Sequence, residues 1–282
     1  MLQVASLSKR YGHLAALSEV SFAIRPREVL GVIGPNGSGK TTLFECLGGV
    51  LPADSGALYK ITPGAPSPRT LTPGAPPPRT LTPGAPTPRT FTPGAPSPRN
   101  DARPLTSAER IATVFYLPDA IAPWPEQTVR WVLDFTAGYF GRAQTGSYAA
   151  TPSDVIGRLD LEPLLDSRIG TLSKGQRKRA LLAVGLLTPQ PILLADEPFE
   201  GLDLRQTREI AQTLRHYAAA GRTMVLSIHQ ISDAARVCDR FVLLSGGRTR
   251  GEGTLDDLAR LATSRAEVSA GTDLEEIFLA LT

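Results

Sequence analysis

The sequence predicts an α/β fold built on a buried parallel sheet, and three observations carry that expectation. Short, strongly apolar runs recur at Val29 to Ile33, Ile192 to Ala195 and, with Ser227 as its one polar residue, Met224 to Ile228, and a continuous apolar run bounded by turn signals reads as a strand covered on both faces. Each run is followed at once by residues that can do chemistry: a glycine-rich turn with a lysine, two adjacent carboxylates, and a histidine. In open parallel sheets the C-terminal edge is where ligands bind. The third observation is a proline-rich stretch between the first run and the second, whose composition cannot bury enough apolar surface to offset the entropy of ordering it.

The 41% apolar content of the 282 residues supports a sizeable core once that stretch is set aside. The stretch repeats a ten-residue unit four times from Thr62 to Asp101 (TPGAPSPRTL, TPGAPPPRTL, TPGAPTPRTF, TPGAPSPRND) and holds thirteen of the 25 prolines. A Pro-Gly pair in every unit favours a type II turn, so polyproline II mixed with turns and disorder is expected over 62–101. Its four arginines and single aspartate account for the whole formal charge of +3, which leaves the remainder neutral and gives no sign of nucleic-acid binding. Cys46 and Cys238 have no closely spaced partners and read as free thiols in a reducing compartment. The N-terminus has no secretory pattern. The longest greasy run, ALLAVGLL from Ala180, is far too short to cross the roughly 30 Å of a bilayer core.

Taken in chain order, the first run opens into GPNGSGKTT, which fits G-x-x-x-x-G-K-[ST] between a strand and a helix beginning near Lys40. Glycines at 34, 37 and 39 let backbone N–H groups turn inward without a Cβ in the way, around Asn36 and Ser38, and the helix N-terminus adds partial positive charge. Phosphates are thereby cradled: Lys40 reaches the β- and γ-phosphates, Thr41 offers a hydroxyl to Mg²⁺, and Thr42 donates to the α-phosphate. In TLSKGQRKRALLAVGLL, Ser173 is expected to cap a helix with Gly175 and Gln176 in its first turn, a second anion-binding helix end. The run PILLADEPF ends in Asp196, suited to Mg²⁺, and Glu197, suited to orienting and deprotonating a water. His229 follows the third run and is within reach of a γ-phosphate.

These motifs together resemble the ATP-binding cassette family. GPNGSGKTT looks like its phosphate loop, LSKGQ its signature, LLADEP its carboxylate strand, Gly201 to Asp203 its D-loop, and His229 its switch histidine. Tyr11 stands where that family has an aromatic that stacks on adenine. The resemblance covers nearly the whole chain except the repeat. It implies a P-loop NTPase cassette with a RecA-like core, an antiparallel β subdomain and a helical subdomain, here over 119–188, within one nucleotide-binding domain spanning 1–282. The ending DLEEIFLALT points to the ABC-2-type export branch. From the same resemblance follow ATP and Mg²⁺ as cofactors, and a homodimer or heterodimer in which each ATP lies between one phosphate loop and the other copy's signature. A separate transmembrane permease would hold the chain at the inner face of the membrane, in the cytoplasm. Soluble relatives in DNA repair or translation, and an inactive cassette serving as a scaffold, are the competing readings.

Two positions depart from the family pattern. Lys174 replaces the commonest glycine of the signature. Asp119, after YLP, replaces a glutamine that contacts Mg²⁺ and the lytic water; as a carboxylate it can coordinate Mg²⁺ but adds negative charge. The repeat is expected to interrupt a β-hairpin edge after DSGALY, between Ile61 and a strand at Ile111 to Leu117. In PEQTVRWVLDFTAGYF, Val129, Val132, Leu133 and Phe140 share one helical face and read as core, and Trp124 is a candidate contact for the membrane subunit.

Overall fold

The computed structural model describes residues 1–61, 103–119, 121–140, 150–266 and 274–281, so the repeat and the expectation that it is disordered lie outside the described residues. In chain order, β1 (Leu2–Tyr11) and β2 (Leu14–Ile24) lead to β3 (Val29–Ile33), α1 (Lys40–Gly48) and β4 (Ser55–Lys60). Beyond the repeat come α2 (Ser107–Thr113), β5 (Val114–Leu117), α3 (Val129–Phe140), α4 (Pro152–Arg158), α5 (Lys174–Leu186) and β6 (Ile192–Asp196). The chain continues through α6 (Leu204–Ala219), β7 (Thr223–Ile228), α7 (Ile231–Val237), β8 (Arg240–Ser245), β9 (Arg248–Gly253), α8 (Leu255–Ala266) and α9 (Leu274–Leu281).

Two sheets result. One is antiparallel and three-stranded, in the order β2-β1-β4; the other is six-stranded, in the order β5-β6-β7-β3-β8-β9, parallel except for β9. The apolar runs are the inner strands of the larger sheet, and their side chains alternate between two cores. Leu30 and Val32 of β3, Leu194 of β6 and Val225 of β7 join Val4, Phe22, Leu43, Phe44 and Leu47 in a core around α1, between the sheets. Val29, Ile33, Leu193, Ala195, Met224, Leu226 and Ile228 face the opposite way, toward α5 and α6. Period-2 alternation with both faces covered is why these strands read as unbroken apolar runs. Each fully buried Leu, Ile or Val contributes about 2 kcal/mol.

Helix α5 lies in the middle of the second core, buried along nearly all its length from Lys178 to Leu186. Val129, Val132 and Leu133 of α3 pack into that core as expected, whereas Phe140 stays outside it, edge-on to Tyr139 with ring centroids 4.7 Å apart.

The described segments on either side of the repeat meet. Tyr59 and Pro104 form an antiparallel bridge, the Leu105 N–H donates to Leu58 O at 2.7 Å, and the Ile61 N–H donates to Met1 O at 3.0 Å. Chain returning beside its point of departure closes a loop whose entropic cost rises only logarithmically with length. The expected strand over Ile111 to Leu117 is shorter than read: Ile111 belongs to α2, and β5 begins at Val114. The cause is a capping box, in which Thr106 Oγ1 accepts from the Glu109 N–H and the Glu109 carboxylate accepts from the Thr106 N–H.

Candidate active site

The C-terminal ends of β3, β6 and β7 bring the sequence-selected residues to one edge. After Ile33 the chain turns through Gly34, where a Cβ would strike the Leu244 carbonyl and the Ser38 hydroxyl, and Gly39, at φ +102°, where it would lie 2.5 Å from Ala16 O. Only glycine fits either position. Asn36 and Gly37 are exposed at the tip of the turn, and Ser38 is buried with its hydroxyl unpartnered.

Helix α1 begins at Lys40 with no side-chain cap and no acid in its first turn, whereas α2, α5 and α6 each carry a capping box. An uncapped helix start presents free N–H groups and positive potential, which suits a phosphate chain. Thr41 and Thr42 sit in that first turn, exposed and half-buried respectively. The buried Lys40 ammonium donates to Gly34 O at 2.8 Å and to Pro35 O at 3.3 Å. Burial lowers its pKa, against the attraction of Glu197 and Asp196.

Asp196, at the end of β6, is buried and accepts from the Ser227 hydroxyl on the neighbouring strand, with Tyr116 of β5 nearby. Burial, then the Asp196 charge, pushes the Tyr116 phenol up, so it stays a donor. Glu197 follows in the left-handed region at φ +47°. Its N–H donates to Ser227 O at 3.2 Å and to Ser227 Oγ at 3.0 Å. That turn sends its carboxylate toward His229, whose Nδ1 is 3.6 Å from Glu197 Oε2. Burial raises the Glu197 pKa; His229 opposes the rise, and the nearby Glu200 carboxylate adds to it.

Ser173 caps α5: its hydroxyl accepts from the Gln176 N–H at 3.2 Å, and Gln176 Oε1 accepts from the Ser173 N–H at 2.9 Å. Gly175 packs against the 201–203 turn, where a Cβ would lie 3.0 Å from Gly201 O. Lys174 is exposed, as its place at a helix start suggested, and pairs with Glu200 at 2.6 Å. Among the described residues no hydrogen bond joins Ser173, Gly175 or Gln176 to the glycine-rich loop at 34–39. Tyr11 ends β1 half-exposed, with the Lys9 ammonium 5.9 Å from its ring centre, and its strand pairs with the segment of β2 whose Ala16 carbonyl abuts Gly39.

Asp119 follows β5 and is ion-paired to Lys178 of α5, which also donates to Glu197 O at 2.5 Å. Sequence reasoning missed Lys178, Ser227, Tyr116 and Glu200. Only the position of Tyr116, directly before the LP that leads to Asp119, offered a signal.

A family model described as ABC transporter matches residues 17–200. This chain belongs to the ABC transporter family. The Nod factor export ATP-binding protein I of Rhizobium etli is 31% identical over 257 residues, covering 91% of this chain and 69% of that protein. Its namesake in Paraburkholderia xenovorans is 29% identical over 277 residues, covering 98% and 76%. Among solved structures, an ATP-binding subunit of an ABC transporter superposes with a TM-score of 0.72 at 23% identity, covering 100% and 99% of the two chains. A dimeric bacterial ABC transporter cassette gives 0.61 at 21% identity, covering 90% of this chain and 98% of that one. The α/β cassette fold expected from the motifs is thus the fold present. This ABC protein is an ATP-binding subunit of a family that hydrolyses ATP and works with membrane subunits. No described helix is long and apolar enough to cross a membrane.

Proposed function

We propose that this ABC subunit powers an exporter by hydrolysing Mg²⁺-ATP at the junction of two copies. The observation that carries the reading is the uncapped start of α1, with its buried lysine, set at the same sheet edge as Asp196 and Glu197. Gly34, Asn36, Gly37, Ser38, Gly39, Lys40, Thr41 and Thr42 would surround the phosphates, with Tyr11 against the adenine. Thr41 and Asp196 are the residues that would hold Mg²⁺, which when bound neutralises phosphate charge.

Glu197 takes a proton from water as the water oxygen bonds to the γ-phosphorus. The bond from that phosphorus to the bridging oxygen breaks, ADP and phosphate leave, and His229 steadies the γ-phosphate and the Glu197 carboxylate. Ser173, Gly175 and Gln176 are separated from the loop of their own chain. They serve the ATP of the second copy, which is why we propose a head-to-tail pair.

The export direction is suggested by the relatives named for Nod factor export. The membrane subunit would hold the chain at the inner face of the membrane and dock on the helical region, proposed as 119–188. There Trp124, Trp131, Phe135 and Tyr139 are exposed yet packed on one another, Trp131 stacked on Phe135 at 5.0 Å and Trp124 edge-on to Phe135 at 5.7 Å. Exposed aromatics in a contiguous group mark an interaction surface.

The test is steady-state Mg²⁺-ATP turnover of the purified chain and of Glu197→Gln. Wild-type turnover that disappears in the variant, with ATP still bound, supports the reading; no wild-type turnover overturns it.

A further inference from the structure

Lys178 sits in the second turn of α5, 8% exposed, and its ammonium has three acceptors: the Asp119 carboxylate, Glu197 O at 2.5 Å and Asp196 O at 3.4 Å. A lysine has three N–H donors, so this one is fully used. Its partners come from separate parts of the fold. Asp119 lies on the segment that leaves β5 for the helical region, and the two carbonyls belong to the end of β6.

Glu197 is held on both sides. Its N–H is fixed by Ser227 and its carbonyl by Lys178, and a non-glycine residue at φ +47° persists only where its surroundings over-determine it. Carboxylate oxygens of Asp119, Glu197 and Glu200 lie within 4.8 Å of one another, a repulsive group next to which Lys178 places a cation.

We infer that Asp119 and Lys178 act as one positioning unit, in which Asp119 holds Lys178 and Lys178 holds the backbone of Glu197, so that Asp119 is a counter-ion for this lysine and not a ligand of the metal. The replacement of glutamine by aspartate at 119 and the presence of lysine at 178 then have a single explanation. A neutral amide at 119 would leave a buried ammonium short of its charged partner, and an uncharged residue at 178 would leave Asp119 facing Glu197 and Glu200. The unit also links the helical region to the glutamate: displacing Asp119 loosens the grip on the peptide that aims the carboxylate. This inference rests on the hydrolytic role of Glu197 proposed above.

The experiment uses the full chain with Asp119→Asn, Lys178→Met and the double variant Asp119→Asn/Lys178→Gln, with wild type in parallel. Each single variant is expected to lose about ten- to a hundredfold in kcat while the KM for ATP stays within about threefold, the pattern of a misplaced reacting group. The double variant, with no charge left unpaired, is expected to turn over no more slowly than either single one. Mn²⁺ affinity, read by electron paramagnetic resonance with a non-hydrolysable ATP analogue, should be the same in Asp119→Asn as in wild type. A loss of Mn²⁺ affinity in Asp119→Asn alone makes Asp119 a metal ligand and overturns the inference, as does a double variant whose losses multiply. Should Lys178→Met melt below the assay temperature, Asp119→Asn, the double variant and the Mn²⁺ measurement still decide. A wild type that does not turn over counts against the hydrolytic reading instead.

Discussion

The two edges of the six-stranded sheet differ in almost every respect. At the C-terminal edge, β3, β6 and β7 hand over directly to Gly34, Glu197 and His229, and the two acids are tied to their neighbours: Asp196 to Ser227, Glu197 to Ser227 and Lys178. At the N-terminal edge, where Ile192 and Thr223 begin their strands, an open cavity of about 480 Å³ lies beside Lys60 and Leu105, the flanks of the repeat. The strands between are five or six residues long, so the edges are separated by roughly 15–20 Å of packed core. A sheet of this kind keeps its chemistry at one rim and tolerates sequence change at the other. Lys60 and Leu105, which flank the forty-residue repeat in the sequence, are on the tolerant side.

The largest expected effect belongs to the chemical rim. Glu197→Gln should lower kcat by about a hundredfold or more, the scale of losing a general base, while equilibrium binding of ATP is retained; a gel-filtration shift to a dimer with ATP and Mg²⁺ would show the paired state accumulating. Lys40→Ala should act differently, weakening ATP binding itself by about tenfold or more, since charge-assisted bonds to phosphate are lost; nucleotide titration by calorimetry separates the two behaviours.

A smaller effect concerns pH. Glu197 must be ionised to accept a proton, and burial raises its folded pKa. Turnover is therefore full above that raised pKa and is lost as pH falls through it, so the acid limb of the kcat profile should lie above the ordinary carboxylate value of about 4.3. A limb at or below that value would place the base elsewhere.

At the opposite rim the effects should be on stability alone. Removing the α2 cap with Thr106→Ala is expected to cost about 1 kcal/mol, visible in denaturant unfolding, with kcat unchanged. The Glu109 carboxyl is held down to about 2, first by Arg103 and then by Thr106. Its contribution is present above the ordinary glutamate pKa and fades as pH falls from there toward about 2.

Much of this contrast was legible in the sequence because the inner strands are buried on both faces and so print as unbroken apolar runs ending in the reactive residues. Lys40, Asp196, Glu197 and His229 stand where such runs stop, and Ser173 with Gln176 spells a capping box. What was not legible required the third dimension. Lys178 and Asp119 are 59 residues apart; Asp119 reads as a substituted metal ligand, and nothing singles out Lys178 until α5 packs against the end of β6. Thr106 with Glu109 was readable as a helix start, yet the apolar Ile111 to Leu117 region took precedence and made the strand too long. On α3 the apolar face of Val129, Val132 and Leu133 was clear from spacing. The stacked ring series Trp131, Phe135 and Tyr139, four residues apart, lay on the adjoining face, and Phe140 joined it in place of the core.

The most direct measurement is ATP affinity and Mg²⁺-dependent turnover of the full chain beside a chain lacking residues 62–101. The account predicts that both hold ATP with the same affinity and both turn it over, because the residues that flank the repeat, Lys60 and Leu105, sit at the edge of the sheet opposite Lys40, Asp196 and Glu197. A shortened chain that folds with the same melting behaviour but no longer retains ATP would contradict it.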